Sequence, residues 1–469
     1  MNYDYLKRPL VLVIFGITGD LAQRKLLPAL YQLLKAGDLP DQLHIVGVSR
    51  RDVTKNDVYA KLRSFVGEFS YADAVEKKLK DSTVMVQMGL MNPDAYRELL
   101  EHLQGVEKAY EKVSRLYYLS IPAQAFTPII KLMGQTGHNK PIKGGADPHL
   151  LIEKPFGYDL ASAKQLVRDL SVYFDEDQIY RIDHYVAKET VQNILTFRFQ
   201  NPLFESVWSR EHIDHIAIQA REQIDIEGRA AFYEQTGALR DFVQNHLLQL
   251  LAITTMQRPA QLESGDIHAS KLELLRAVEA ITPGKVATAA VRGQYEGYRT
   301  EVKNLESNTE TYVRLELHID NDQWRGVPIV LETGKALEAK RTEISVCFRQ
   351  SKDAPAEQNR LVFRIQPQEG ITLRLQTKQP GIKNITADAD MDFDYAKSFN
   401  QRPAEAYERV IVDAIRGDQT LFASAAEVIR SWEIIENVLQ RWQRGSEGLL
   451  SYPKGSAGPS EPVENTARV

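Results

Sequence analysis

From residue 10 to residue 183 the chain repeats one rhythm: a short apolar run, then an amphipathic stretch of helical period. The runs are "LVLVIFG" (10 to 16), "LHIVGV" (43 to 48), "TVMVQM" (83 to 88), "SRLYYLSIP" (114 to 122), "HLLIEKPFG" (149 to 157) and "IYRID" (179 to 183). Helical patterns over 20 to 36, 57 to 69, 93 to 103, 124 to 134 and 161 to 172 separate them. Strands that alternate with helices run parallel, with the helices crossing over the faces of the sheet. This predicts a doubly wound α/β sheet, which takes ligands at the carboxyl ends of its strands.

After residue 184 the pattern changes. A long helix over 230 to 255 precedes strand-like runs at 311 to 319, 328 to 334, 343 to 349, 360 to 365 and 371 to 377. Several of these alternate with period two, which predicts a mostly antiparallel sheet with one face buried, backed by helices, in an α+β arrangement. At 469 residues the chain exceeds one ordinary core, so two domains are expected, 1 to 183 and 184 to 469. Helices near 403 to 416 and 424 to 443 precede a tail, "SAGPSEPVENTARV", whose small and polar residues predict fraying.

Charge and cysteine content narrow the function classes. A formal net charge of -5 argues against nucleic acid as the main partner. Cys347 is the sole cysteine, so no intramolecular disulfide and no thiol-rich metal site can form; a reducing, cytoplasmic setting is expected. Lys7, Arg8 and the apolar "LVLVIFGIT" imitate a secretory signal, but Asp20 and "QRK" follow at once and no small-x-small site appears. The run is also far shorter than a membrane span.

"LVLVIFGITGDLAQRKLLPAL" sets a buried strand before Gly16 and Gly19 and an amphipathic helix after them. Free N–H groups and the helix dipole make such a turn an anion site. The spacing G-x-x-G-D departs from G-x-G-x-x-G, so a plain βα turn stays open beside a dinucleotide site. The end of the second strand, "GVSRRD", offers Arg50 and Arg51 where an NAD-selective site offers an acid; arginine suits a 2′-phosphate, so NADP is favoured, with Thr18 as an extra hydroxyl contact. The other reading makes both arginines solvated loop residues.

"RIDHYVAKETVQN" crowds Asp183, His184, Tyr185 and Lys188 around an expected helix start, with His184 and Lys188 four apart on one face. A dianionic phosphate would meet N–H groups, an ammonium, an imidazole and a phenol there. A simple N-cap by Asp183 is the alternative. In "ALRDFVQNHLLQLL" (238 to 251), read as an α-helix, Asp241 and Asn245 share a face and His246 falls beside an apolar stripe. His246 is then either a core histidine or a catalyst that needs a carboxylate, for which Asp183 is the candidate. Lys154 closes the strand of "HLLIEKPFG", while Lys335 and Lys340 follow the strand of "GVPIVLETGKALEAKR"; each either meets phosphate or covers apolar surface.

In their order and spacing, "GITGDLAQRKLLPAL", "EKPFG", "RIDHYVAKE", "EGRAAFYEQTGALRDFVQNHLLQ" and "VPIVLETGKAL" resemble the glucose-6-phosphate dehydrogenase family over nearly the whole chain. The resemblance implies a Rossmann-like NADP domain and a larger substrate and oligomerisation domain, with NAD as a weaker cofactor and no metal. It implies oxidation of glucose 6-phosphate at C1 to the 1,5-lactone. His246 would be the general base and Asp183 its carboxylate partner. His184, Tyr185, Lys188 and Lys340 would bind the phosphate; Lys154, Glu222, Asp241 and Lys335 would hold the sugar, Lys154 also lying near the nicotinamide. Gln366 in "IQPQEG" is a further candidate at the substrate pocket. Gly16, Thr18, Gly19, Lys25 and Arg50 match cofactor positions, with Arg51 adjacent. A homodimer or homotetramer is implied, and no membrane or nucleic-acid partner.

Three departures from the family pattern stand out. Ala187 occupies a common glycine position and is expected to crowd the phosphate slightly; Ala231 replaces a frequent glycine after "EGRA", and Ala457 replaces a common tryptophan in "KGSAGP". Two other readings stay open: a dehydrogenase of another hexose or hexose phosphate, and a non-catalytic nucleotide-binding regulator on the same scaffold.

Overall fold

The computed structural model describes residues 4–67, 71–141, 147–350, 358–399 and 402–460. Six strands, β1 (Leu10–Phe15), β2 (Leu43–Ser49), β3 (Thr83–Gln87), β4 (Ser114–Leu119), β5 (His149–Ile152) and β6 (Ile179–Ile182), form a parallel sheet in the order β6-β5-β4-β1-β2-β3. Every side chain of β1 is buried, as an inner parallel strand covered on both faces requires. Order reverses at β1, between β4 and β2, so a crevice opens beyond the carboxyl ends of β1 and β4.

The expected helix over 57 to 69 is instead two short helices, Lys55–Tyr59 and Leu62–Val66, followed by a third, Asp73–Asp81, that the period-based reading missed. Thr54 ends the approach with a capping box on Asp57. Asp73–Asp81 buries only Leu79, which leaves too thin an apolar stripe to read from sequence.

The second sheet has nine strands, opening with β7 (Ile213–Arg221), β8 (Ala290–Tyr295), β9 (Tyr312–Leu317) and β10 (Ile329–Gly334). It continues through β11 (Arg341–Phe348), β12 (Arg360–Gln366), β13 (Gly370–Lys378) and β14 (Thr386–Asp394). A two-residue strand, β15 (Phe422–Ala423), crosses back to extend the first sheet antiparallel to β6, and β16 (Leu449–Tyr452) closes the second beside β8. The second sheet is mostly antiparallel, with β7/β10 and β8/β16 as its parallel pairs. Both partners in each are far apart in sequence, which leaves room for the crossover a parallel pair needs. Period-two burial holds in β12, but all of β10 is buried.

The helices Ala406–Arg416 and Ala425–Gln443 match the expected pair. Of the tail, Ser456 bridges to Leu337 and Pro459 lies against Gly293, so the start of it is packed; residues 461–469, on which the expected fraying falls, lie outside the described residues. No helix among the described residues is long and apolar enough to cross a membrane.

Candidate active site

Between β1 and the helical turn that starts at residue 20, Gly16 adopts φ +77°, and a Cβ there would overlap the Ser120 carbonyl oxygen. Gly19 N–H donates to the Gly16 carbonyl (2.8 Å) and closes the loop. Backbone thus comes close to whatever lies over the crevice, with a helix amino end aimed at it. At the end of β2, the buried Ser49 accepts the Arg51 N–H through Oγ (3.1 Å), and Arg50 and Arg51 emerge exposed, with no ion pair among the described residues. This donor set fits a dinucleotide: close backbone for the pyrophosphate and two free guanidinium groups for a further phosphate. Thr18 is half-buried in the loop. Lys25 is exposed and lines an open cleft with Arg402 and Tyr407.

The strand ends of β5 and β6 carry the other half. Asp183, 4% exposed, accepts through Oδ1 from His246 Nδ1 (2.7 Å), Tyr185 N–H (2.9 Å) and Val186 N–H (3.3 Å). These backbone bonds are those of a cap, but the position of the expected helix start is corrected. Residues 184–187 form a turn, Lys188 has extended φ/ψ as N-cap, and the helix opens at Glu189 (Glu189–Phe199). The Asp183 carboxylate caps this turn as it would a helix start, but the chain turns extended at Lys188, so His184 and Lys188 do not share a helical face.

His246 sits in a π-helix, Leu239–Leu247, inside the long helical stretch that the sequence predicted, and Gly237 at φ +65° kinks the entry. Here an i→i+5 pattern replaces the α register, which brings Asp241 and His246 to one side; the expected sharing of a face by Asp241 and Asn245 gives way to this pair. Lys154 Nζ proves the point, lying 2.9 Å from both Asp241 Oδ1 and His246 Nε2 and donating also to the Asp241 carbonyl (2.9 Å).

The charges set the protonation states. Burial drives the His246 imidazole below its ordinary value; Asp183 pulls it up, but the Lys154 ammonium adds to the lowering. Burial alone would raise Asp183, yet His246 and the backbone N–H of Tyr185 hold it down at about 2. Asp241 is likewise lowered against burial, by Lys154, His246 and Lys335. An ionised Asp183 accepts the Nδ1 proton, so Nε2 presents a lone pair. In this arrangement that lone pair receives Lys154.

Around this centre, the Tyr185 ring lies 4.4 Å from the His246 ring, and Lys335 Nζ pairs with Glu222 Oε2 (2.6 Å). Lys188 lies 3.9 Å from Glu369 Oε1. His184 Nε2 is 3.1 Å from Glu153 Oε2, and its ring stacks on Tyr407 at 4.1 Å. Gln366 stands opposite Thr342 in the pairing of β11 with β12. Lys340 is exposed, with no ion pair among the described residues. Ala187 is fully buried in the apolar core, so its methyl is absorbed by packing.

Sequence reasoning missed Glu153, which also accepts from the Tyr118 hydroxyl (2.5 Å), and Glu369, which accepts the Thr190 N–H and hydroxyl (both 3.1 Å). A carboxylate ending a buried apolar run was a usable signal for Glu153; Glu369 carried none. No cluster of three or more His, Cys, Asp or Glu among the described residues is placed to hold a metal ion.

Two family models match the chain: the glucose-6-phosphate dehydrogenase NAD binding domain over residues 13–193 and the C-terminal domain of the same family over residues 195–468. The glucose-6-phosphate 1-dehydrogenase of Chlamydia muridarum is 39% identical over 98% of this chain and 96% of its own length. The cytoplasmic glucose-6-phosphate 1-dehydrogenase 5 of Arabidopsis thaliana is 37% identical over 96% and 90%. Among solved structures, a glucose-6-phosphate dehydrogenase in complex with its substrate glucose 6-phosphate has 31% identity and a TM-score of 0.90, covering 97% of this chain and 96% of that one. The enzyme from Mycobacterium avium has 33% identity and a TM-score of 0.83, covering 97% and 95%.

Proposed function

The chain belongs to the glucose-6-phosphate dehydrogenase family, and on that premise we propose that it oxidises D-glucose 6-phosphate at C1 to 6-phospho-D-glucono-1,5-lactone, with NADP preferred over NAD. When bound, the dinucleotide supplies the hydride acceptor. His246 Nε2 takes the proton of the C1 hydroxyl as the C1 hydride departs and the C1–O double bond forms. Asp183 holds the ring by Nδ1 and balances the imidazolium. For the hydroxyl to reach Nε2, Lys154 must give up that contact; its bonds to Asp241 keep the ammonium beside the sugar.

The observation that carries the reading is the buried Asp183–His246 bond, which turns the Nε2 lone pair outward to Lys154, at the carboxyl ends of strands whose sheet also bears the glycine loop. His184, Tyr185, Lys188 and Lys340 are assigned to the phosphate, and Lys154, Glu222, Asp241, Lys335 and Gln366 to the sugar. Gly16, Thr18, Gly19, Lys25, Arg50 and Arg51 are assigned to the cofactor, Arg50 and Arg51 lending it their unpaired charge. Residues 1–183 then form the cofactor domain, and 184–469 the substrate and assembly domain. Proton and hydride transfer between these groups call for no metal. A cytoplasmic homodimer or homotetramer completes the proposal; light scattering at micromolar concentration that gives only monomer would refute that part.

The direct test is absorbance of reduced nicotinamide with glucose 6-phosphate and either NADP or NAD, with glucose as control. Fast reduction with the phosphate ester and slow reduction with glucose is the expected result. No reduction by folded protein would favour another hexose phosphate or a non-catalytic regulator.

A further inference from the structure

Asp183 uses only half of its carboxylate. Oδ1 takes three donors, whereas the buried Oδ2 has no hydrogen-bond partner. Beside the pair lies a small cavity whose polar lining is Lys154, Asp183, Gln244, Asn245, His246, Gln249 and Ser431, with room for about one water molecule.

Gln249 stands three residues after His246 and is 3% exposed. Its Nε2 donates to Glu427 Oε2 (3.0 Å). Glu427 is wholly buried and meets Lys271 (2.7 Å), His268 Nδ1 (2.6 Å) and the Ser424 hydroxyl (3.0 Å). Burial would raise its carboxyl, but Lys271 and His268 hold it at about 2. An ionised carboxylate only accepts, so Glu427 fixes the Gln249 amide with its NH2 inward and leaves Oε1 for the cavity. No group among the described residues donates to that oxygen. Two acceptors, Asp183 Oδ2 and Gln249 Oε1, therefore line one small space, and a water brings two donors to it. The Ser431 hydroxyl can meet the lone pairs of that water.

Resting on the reading of His246 as base, we propose that Gln249 is a positioning residue for the Asp183–His246 pair, acting through one buried water held between its side-chain carbonyl and Asp183 Oδ2. The water spreads the Asp183 charge over both oxygens. Without it, charge gathers on Oδ1 and the imidazolium is held more tightly. The other charged and titratable groups facing the pair are Lys154, Asp241 and Tyr185; Glu427, Lys271 and His268 lie beyond Gln249.

The test is a crystal structure that resolves waters, with an NMR titration of His246 in the parent and in Gln249→Met, which keeps the shape and loses the amide. Expected are an ordered water bonded to Asp183 Oδ2 and Gln249 Oε1, and a His246 midpoint raised by about half a pH unit or more in the variant, within the worth of one hydrogen bond to a charged group. An empty cavity, or an unchanged midpoint in folded Gln249→Met, overturns the proposal. Should that variant fail to fold, Ser431→Ala, expected to move the midpoint in the same direction, replaces it under the same criterion. Neither measurement uses substrate, so failure here is distinct from failure of the dehydrogenase reading, which the absorbance assay decides.

Discussion

Asp183→Asn removes one charge and almost no volume, and the site predicts what that costs. On the proposed chemistry, as the proton of the C1 hydroxyl moves to Nε2, His246 becomes an imidazolium whose Nδ1 lies 2.7 Å from Asp183 Oδ1. Charge centres about 4 Å apart at an effective dielectric of about 20 attract by roughly 4 kcal/mol. That corresponds to about 10³ in rate, since each ~1.4 kcal/mol is tenfold. Orientation should survive, because the Tyr185 and Val186 N–H groups that hold Oδ1 can hold an asparagine carbonyl in the same place. Some of the attraction is already spent in the resting state, where Lys154 also pulls on Asp183. The expected result is therefore a kcat lowered by about 10²–10³, with the KM for glucose 6-phosphate within about threefold. Initial rates of nicotinamide reduction at saturating NADP measure both, and a C1-deuterated substrate checks that hydride transfer limits the rate. A folded variant with kcat within about tenfold of the parent would refute the charge argument.

Three further outcomes follow from the geometry. Arg50→Ala should raise the KM for NADP by about tenfold or more, the worth of a charge-assisted bond, and leave NAD within about twofold; equal loss for both makes Arg50 a bystander. Gly16→Ala forces a side chain into φ +77° against the Ser120 carbonyl and should cost about 1–3 kcal/mol of local strain, read as a lower Tm and weaker dinucleotide binding; an unchanged Tm contradicts the loop geometry. Glu427 has a folded pKa below its ordinary 4.5, at about 2, so it contributes stability that is complete above pH 4.5 and lost as pH falls through about 2. Glu427→Gln should be less stable than the parent at neutral pH and should flatten the acid limb of its denaturation curve; parallel curves would oppose this.

The first sheet was legible because its information is local. Most of its strands are apolar runs, as in the fully buried β1, and most of its crossover helices have one clear stripe. The missed helix Asp73–Asp81 lacks such a stripe, and β7 and β15 find their neighbours only through contacts far away in sequence. Residue types at the site were legible too, since a carboxylate, an imidazole and several lysines in short motifs limit the chemistry. Their mutual placement was not. Asp183 caps a turn at 184–187 as it would a helix start, but the chain turns extended at Lys188 and the helix opens only at Glu189, which no local pattern announces.

The case of His246 goes deeper. At about 100° per residue, an α-helix would point Asp241 and His246, five positions apart, about 140° away from each other. One lysine could then hardly touch both. The π-helix over Leu239–Leu247 stacks residues five apart, and Lys154 Nζ lies 2.9 Å from each. Helical periodicity in the sequence cannot reveal that change, because the apolar stripe of Phe242, Val243 and Leu247 reads as ordinary α-helix. The contacts that accompany the π form come from elsewhere in the chain: the ammonium of Lys154 after β5 and the carboxylate of Asp183 after β6 engage Asp241 and His246 together. On the proposed chemistry, the base owes its orientation to partners 63 and 92 residues away, so its role becomes readable only after the fold has brought them together.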